Sequence, residues 1–90
     1  MSKAIVDPGE VRRFAHSLKH FNSELRERMA ALYGQLMGLG DTWRDQEHDK
    51  FAEEFQQTLH ALEAFIVVAD EHIPFLLRKA DRVDEYLQQR

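Results

Sequence analysis

The stretch Gly38-Leu39-Gly40-Asp41-Thr42-Trp43-Arg44-Asp45 lies near the middle of the 90-residue chain and decides how it folds. On each side of it runs a long series of apolar residues at helical spacing. Glycines supply backbone freedom at a helix C-terminus. Asp41 and Thr42 supply side-chain oxygens that can accept the free backbone N–H groups of a helix start. The stretch reads as the bend of a helical hairpin, over 38–43. A bend needs small and polar residues, and Trp43, the single Trp of the sequence, is neither. It either closes the hairpin core or serves as an anchor for a partner, a frequent role of Trp at interfaces.

Upstream, Asp7-Pro8-Gly9-Glu10 is a strong helix start. Asp7 stands at the N-cap, Pro8 at the first helical position where its missing N–H costs nothing, and Glu10 at the third, as in a capping box. Residues 1–6 form a loose lead. Val11, Phe14, Leu18, Phe21, Leu25, Met29, Leu32 and Leu36 then step by three and four, which places them on one stripe at ~100° per residue. The first helix is expected over 8–37.

Downstream, the second helix is expected over 44–88, starting near Thr42. Phe51, Phe55, Leu59, Leu62, Ile66, Ala69, Ile73, Leu76, Ala80, Val83 and Leu87 keep the same spacing, and from Leu59 onward they alternate as in a heptad seam. Phe65, Val68, Phe75 and Tyr86 occupy an adjoining face. Pro74 removes one backbone bond and crowds the preceding turn. Because the stripe keeps its register on both sides of it, a bent but continuous helix is expected.

The fold class is therefore all-α: a two-helix antiparallel hairpin in one domain, 1–90. Its apolar sector is wider than one partner helix can cover. The usual remedy is a second hairpin, which gives a four-helix bundle. Phe65, Val68 and Phe75 are the expected dimer interface.

Composition narrows the function. Sixteen acids against twelve Lys and Arg give a formal net charge of −4, unlike the basic stripe of a nucleic-acid binder. With no cysteine in the sequence, disulfides, thiolate metal sites and a cysteine nucleophile are excluded. The start of the chain has no apolar core of signal-peptide length. The longest apolar run, Ala64 to Ala69, is too short to span a bilayer. His16 and His20, one turn apart with Glu24 beyond, have metal-ligand spacing, but they fall opposite the apolar stripe, on the solvated side. His48, His60 and His72 rotate away from one another. No Glu-x-x-His occurs for a di-iron bundle, Asp45-x-x-His48 being the nearest approach. Gly34-x-x-x-Gly38 lacks the Lys-Ser/Thr and the preceding strand of a phosphate loop. No metal, cofactor or catalytic residue is expected, and nothing points to an enzyme.

The layout resembles the WXG family, the small helical hairpins of type VII (ESX-type) secretion. Trp43 stands at the Trp of that family's Trp-x-Gly bend, and Phe51 at the bulky position eight residues later. The Asp7-Pro8 start and central bend also match. The motif Gly is Asp45 here, so the signature is Trp-x-Asp. The C-terminal Tyr-x-x-x-Asp/Glu of many secreted members is replaced by Tyr86 followed by Arg90. The resemblance implies a secretion substrate, or a partner that targets one, acting by protein–protein recognition. Trp43 and Asp45 would form the docking bend. The implied partners are a second copy, a homologous hairpin, a secretion ATPase or a toxin. The implied location is the cytoplasm before export without a cleaved signal. The alternative is a non-secreted coiled-coil adaptor or chaperone-like structural protein.

Overall fold

The computed structural model describes residues 6–89. The expected lead lies outside the described residues except for Val6, and so does Arg90. Two helices make up the fold, α1 (Pro8–Leu39) and α2 (Gln46–Gln88). They lie side by side as a hairpin measuring 69 × 20 × 17 Å. Its radius of gyration is 20.4 Å, against ~12 Å for a rounded domain of this length.

Asp7 caps α1 as its sequence context predicts. Its carboxylate accepts from Gly9 N at 2.9 Å and Glu10 N at 3.3 Å. The other end departs from expectation. The helix runs through Gly38 to Leu39, and the C-cap Gly40 is right-handed at φ −60°, ψ −18°. No described glycine has a positive φ, so backbone freedom is not what the glycines provide. At Gly40 the reason is space. A Cβ there would lie 3.2 Å from the Met37 oxygen and 3.7 Å from Cε1 of His48.

The α2 cap is Asp45, not Asp41 or Thr42. Residues 40–42 keep turning around the end of α1. Their amides, and that of Trp43, serve its orphan carbonyls: Asp41 N donates to Gly38 O, and Thr42 N and Trp43 N donate to Leu39 O at 3.0 and 2.7 Å. The Thr42 hydroxyl also points back to Leu39 O. Only at Asp45 does the backbone extend, with φ −129° and ψ 178°, and the next helix starts there. Further along, α2 is continuous through Pro74.

Ile66, Ala69 and Ala80 are buried on α2, with Phe55, Leu59, Leu62, Ile73, Leu76 and Val83 half-buried around them. This matches the stripe expected for α2, apart from exposed Phe51 and Leu87. The α1 stripe faces inward at Val11, Leu18, Leu25, Met29 and Leu36, but not at Phe14, Phe21 and Leu32. Ala15, Asn22 and Leu36 are buried, whereas Phe14 and Phe21 are 60% and 52% exposed. Small Ala15 and Asn22 are buried on α1, as Ala69 and Ala80 are on α2. The Phe rings, one residue earlier and so ~100° round the helix, are left on a flank.

The hairpin therefore has two unlike flanks. Arg12 and Arg26 of α1 face acids of α2 on one. Phe14, Phe21, Leu32 and Leu39 fall on the other side of α1 by the same rotation, and Phe65 and Val83 on the matching side of α2.

Candidate functional site

At the bend, Asp45 Oδ1 accepts from the backbone N–H of His48 at 3.0 Å. This fixes the first turn of α2 and carries His48 inward. His48 is only 8% exposed. Its Nε2 lies 3.3 Å from the main-chain oxygen of Leu36 in the last turns of α1. Its Nδ1 lies 3.7 Å from an Asp49 carboxylate oxygen. The tautomer with the proton on Nε2 satisfies the Leu36 contact. Trp43 is half-buried, its ring centroid 5.0 Å from the imidazole in an edge arrangement of 74°. Trp43 thus rests on a histidine that is itself bonded to the other helix.

This geometry explains the Asp of the Trp-x-Asp signature. The backbone at Asp45 is extended, a conformation open to any residue. A carboxylate is favoured there as a cap and by the positive end of the helix dipole. Asp45 reaches His48 directly and Trp43 through it.

Beside the bend, Leu32, Gln35, Leu36, Leu39, Phe51 and Phe55 line an open groove of about 360 Å³. Phe51 and Phe55 stack within it, centroids 5.7 Å apart at 18°. Further along α2, Phe65, Val68 and Phe75 are 50%, 52% and 51% exposed.

The opposite flank is ion-paired. Arg12 reaches Asp81 at 2.6 Å and Asp84 at 2.7 Å. Arg26 bridges Glu63 at 3.1 Å and Asp70 at 3.2 Å. Hydrogen bonds to Asp81 and Asp84 hold the Arg12 guanidinium above its ordinary pKa. The Arg26 guanidinium is raised chiefly by its bond to Glu63, against a smaller opposing effect of burial.

His16 and His20 are exposed on α1, and His20 lies 3.6 Å from Glu24. Among the described residues no three His, Asp or Glu are placed to hold a metal. No described helix is long and apolar enough to cross a membrane.

His48 is the residue that sequence reasoning missed. Its regular spacing to His60 and His72 carries no convergence. The usable signal was its place three residues after Asp45, where an N-capped helix turns its first side chains back toward the preceding element.

Together these features define a class: a long, thin helical hairpin with a Trp lodged in its bend and one apolar flank. The chain belongs to the WXG100 family, proteins of 100 residues with WXG, which matches over residues 4–86. It is similar to the secreted protein EsxB of Bacillus anthracis, with a TM-score of 0.79, 26% identity, and coverage of 96% of this chain and 98% of that one. A second, wild-type EsxB structure from the same organism gives the same score and identity over 93% and 97% of the two chains. Comparison with curated proteins finds no match. Family and fold place the chain among the small proteins associated with type VII secretion.

Proposed function

We propose that this protein is a type VII secretion substrate, or the partner that targets one, and that it works by recognition without bond chemistry. The observation that carries the reading is the pairing of a WXG100 hairpin with a large unpartnered apolar flank, in which Phe65, Val68 and Phe75 are each about half exposed. The flank is covered by a second copy or a homologous hairpin, which makes a four-helix bundle. The bundle then presents the Trp43–Asp45 bend and its groove to a secretion ATPase or a toxin. Export from the cytoplasm would follow without a cleaved signal.

The test is expression of a tagged chain in a bacterium with an active type VII system, reading the culture medium against the cell pellet. The wild type is expected in the medium, or to bring a co-expressed partner there. Trp43→Ala should abolish this while leaving the helical content intact. Export that depends on neither Trp43 nor the secretion ATPase would overturn the proposal. The second reading, a non-secreted adaptor, draws on Arg90 standing where Tyr86 would need an acidic partner. It predicts a chain retained in the pellet in a stable complex.

A further inference from the structure

Outside its buried seam, α2 carries a second stripe that is sorted by charge. Glu54, Phe65, Val68, Phe75, Lys79 and Arg82 fall on one line of three- and four-residue steps, and all six are exposed. The line is turned by ~100° from the seam, onto the apolar flank. It is acidic toward the bend, apolar in the middle and basic toward the end of the helix. Laid parallel on a copy of itself, it would set Lys79 and Arg82 against the same cations of the other chain. Charges beside a helical seam select orientation in this way.

Reversed, the stripe is its own complement. In an antiparallel pair each step down one helix is a step up the other. With Phe65 facing Val68 of the second copy, the same count brings Glu54 opposite Lys79 of that copy. It also sets Arg82 over the Phe51 ring, a cation–π placement. The apolar middle meets itself, and each end meets the opposite sign.

The first helix gives the same centre independently. Arg26 bridges Glu63 and Asp70, so it stands level with the midpoint between Phe65 and Val68. A two-fold axis at that level, across the hairpin, lays α1 on α1 about residue 26. Glu24 then meets Arg28 of the second copy, and Phe21 meets Ala31. All four are exposed and on one line of three- and four-residue steps. An axis along the hairpin would instead lay α1 on α2 of the second copy. Glu24 and Arg28 would then press on Val68 and Phe65, covering two charges without partners, a costly arrangement.

Building on the reading that another hairpin covers the apolar flank, we infer that the cover is a second copy, joined about a two-fold axis at the level of Arg26, with Glu54 paired to Lys79 and Glu24 to Arg28 across the two chains. A two-fold interface requires a surface that complements itself. A homologous hairpin would impose no such requirement on either stripe. Here both stripes meet it, and about one centre.

Two measurements test this. The sequence has no cysteine, so Lys50→Cys, at an exposed position outside both stripes, carries one nitroxide label per chain. Lys50 stands level with Val83 of the second copy, so electron–electron resonance should find the labels ~50 Å apart along the axis, at ~1.5 Å per residue. A register one heptad away moves this by ~10 Å, and an axis along the hairpin removes the axial separation. The second measurement exchanges charge. Glu54→Lys and Lys79→Glu should each raise the dimer dissociation constant on the order of tenfold, because each change acts twice across the axis. The two together should restore the wild-type value, since the pair is then re-formed with its signs exchanged. A label distance below ~45 Å or above ~60 Å would overturn the register. Single variants that bind as the wild type does, or a double variant no better than the singles, would overturn the ion pair. A chain that is monomeric, or that pairs only with a different hairpin, would overturn the second copy. Export into the culture medium is read separately, so the proposed function can stand where this assignment fails.

Discussion

His48 Nε2 lies 3.3 Å from the main-chain oxygen of Leu36, so a side chain from the first turn of α2 satisfies a carbonyl near the end of α1. The last carbonyls of any helix lack intrahelical partners, and here α2 supplies one. The same imidazole is the surface on which the edge of Trp43 rests. Hairpin closure and Trp placement are thus one contact.

Removing that ring should be felt in both. His48→Ala takes away a buried hydrogen bond and leaves a gap under Trp43, so a loss of ~1–3 kcal/mol is expected in equilibrium denaturation. Trp43 is the only Trp, and its native fluorescence should shift to longer wavelength as water reaches the ring. A variant with wild-type stability and an unshifted spectrum would show that the contact contributes nothing.

The glycines make a contrast within one short segment. A Cβ at Gly34 or Gly38 would meet nothing within 4 Å, and both residues lie inside α1. Gly34→Ala and Gly38→Ala should therefore each stabilise by ~0.5–1 kcal/mol, the usual helix-interior difference. Gly40→Ala should stabilise less or destabilise, because its Cβ would lie 3.2 Å from the Met37 oxygen. Thermal melts of the three variants check this. A loss at Gly34 or Gly38 would mean that the smooth outer surface is covered in the assembled protein.

The pattern of what could be read beforehand follows from which groups make each contact. The α2 seam was legible because its core is built from bulky apolar residues at regular steps. On α1, Leu18, Leu25, Met29 and Leu36 were legible for the same reason, whereas large Phe14 and Phe21 outweigh small Ala15 and polar Asn22 in any apolar pattern although they face outward. Asp7 was legible as a cap because Pro8 follows it. Asp45 competed with Asp41 and Thr42, and only the path of the backbone around the end of α1 decides among them. Trp43 stood out by its type. His48 did not, since its partner is a main-chain oxygen that no side-chain pattern marks.

The ion-paired flank should respond to salt and not to moderate pH through its arginines. Both guanidinium groups are raised above their ordinary pKa by their carboxylate partners. A raised folded-state pKa contributes stability that is fully present below the unfolded value and is lost only as pH climbs through the raised one. That window is strongly alkaline, so Arg12 and Arg26 should add no slope between about pH 6 and 9. Exposed pairs are screened by salt. Arg12→Gln should therefore lower the melting temperature at low ionic strength and show a smaller difference at ~1 M salt, where screening reaches within ~3 Å. An equal deficit at both salt concentrations would assign the effect to packing of the Arg12 stem.

The apolar flank predicts that the hairpin does not stay alone. A compact chain of 10.6 kDa exposes ~5,500 Å² by the scaling of surface with mass, whereas this one exposes 7053 Å². The surplus is larger than the ~800 Å² that each partner contributes to a standard interface. Phe14, Phe21, Phe65, Val68 and Phe75 are each half exposed or more. Covering the remaining half of each gains ~0.7–1.5 kcal/mol, as an upper estimate. Summed over these side chains, this is comparable with the ~5 kcal/mol at the low end of small-domain stability. A second copy about a two-fold axis covers the flank with one self-complementary patch, giving an antiparallel four-helix homodimer with Phe65 and Val68 near its seam. Light scattering at micromolar concentration should return twice the chain mass for the wild type. Phe65→Asp should return the single-chain mass or a much weaker dimer, because it sets a charge into the seam. A wild type that is monomeric, fully helical and cooperative in melting would sink the homodimer. A wild type that aggregates, and becomes soluble when co-expressed with a homologous hairpin, would assign the same flank to a heterodimer.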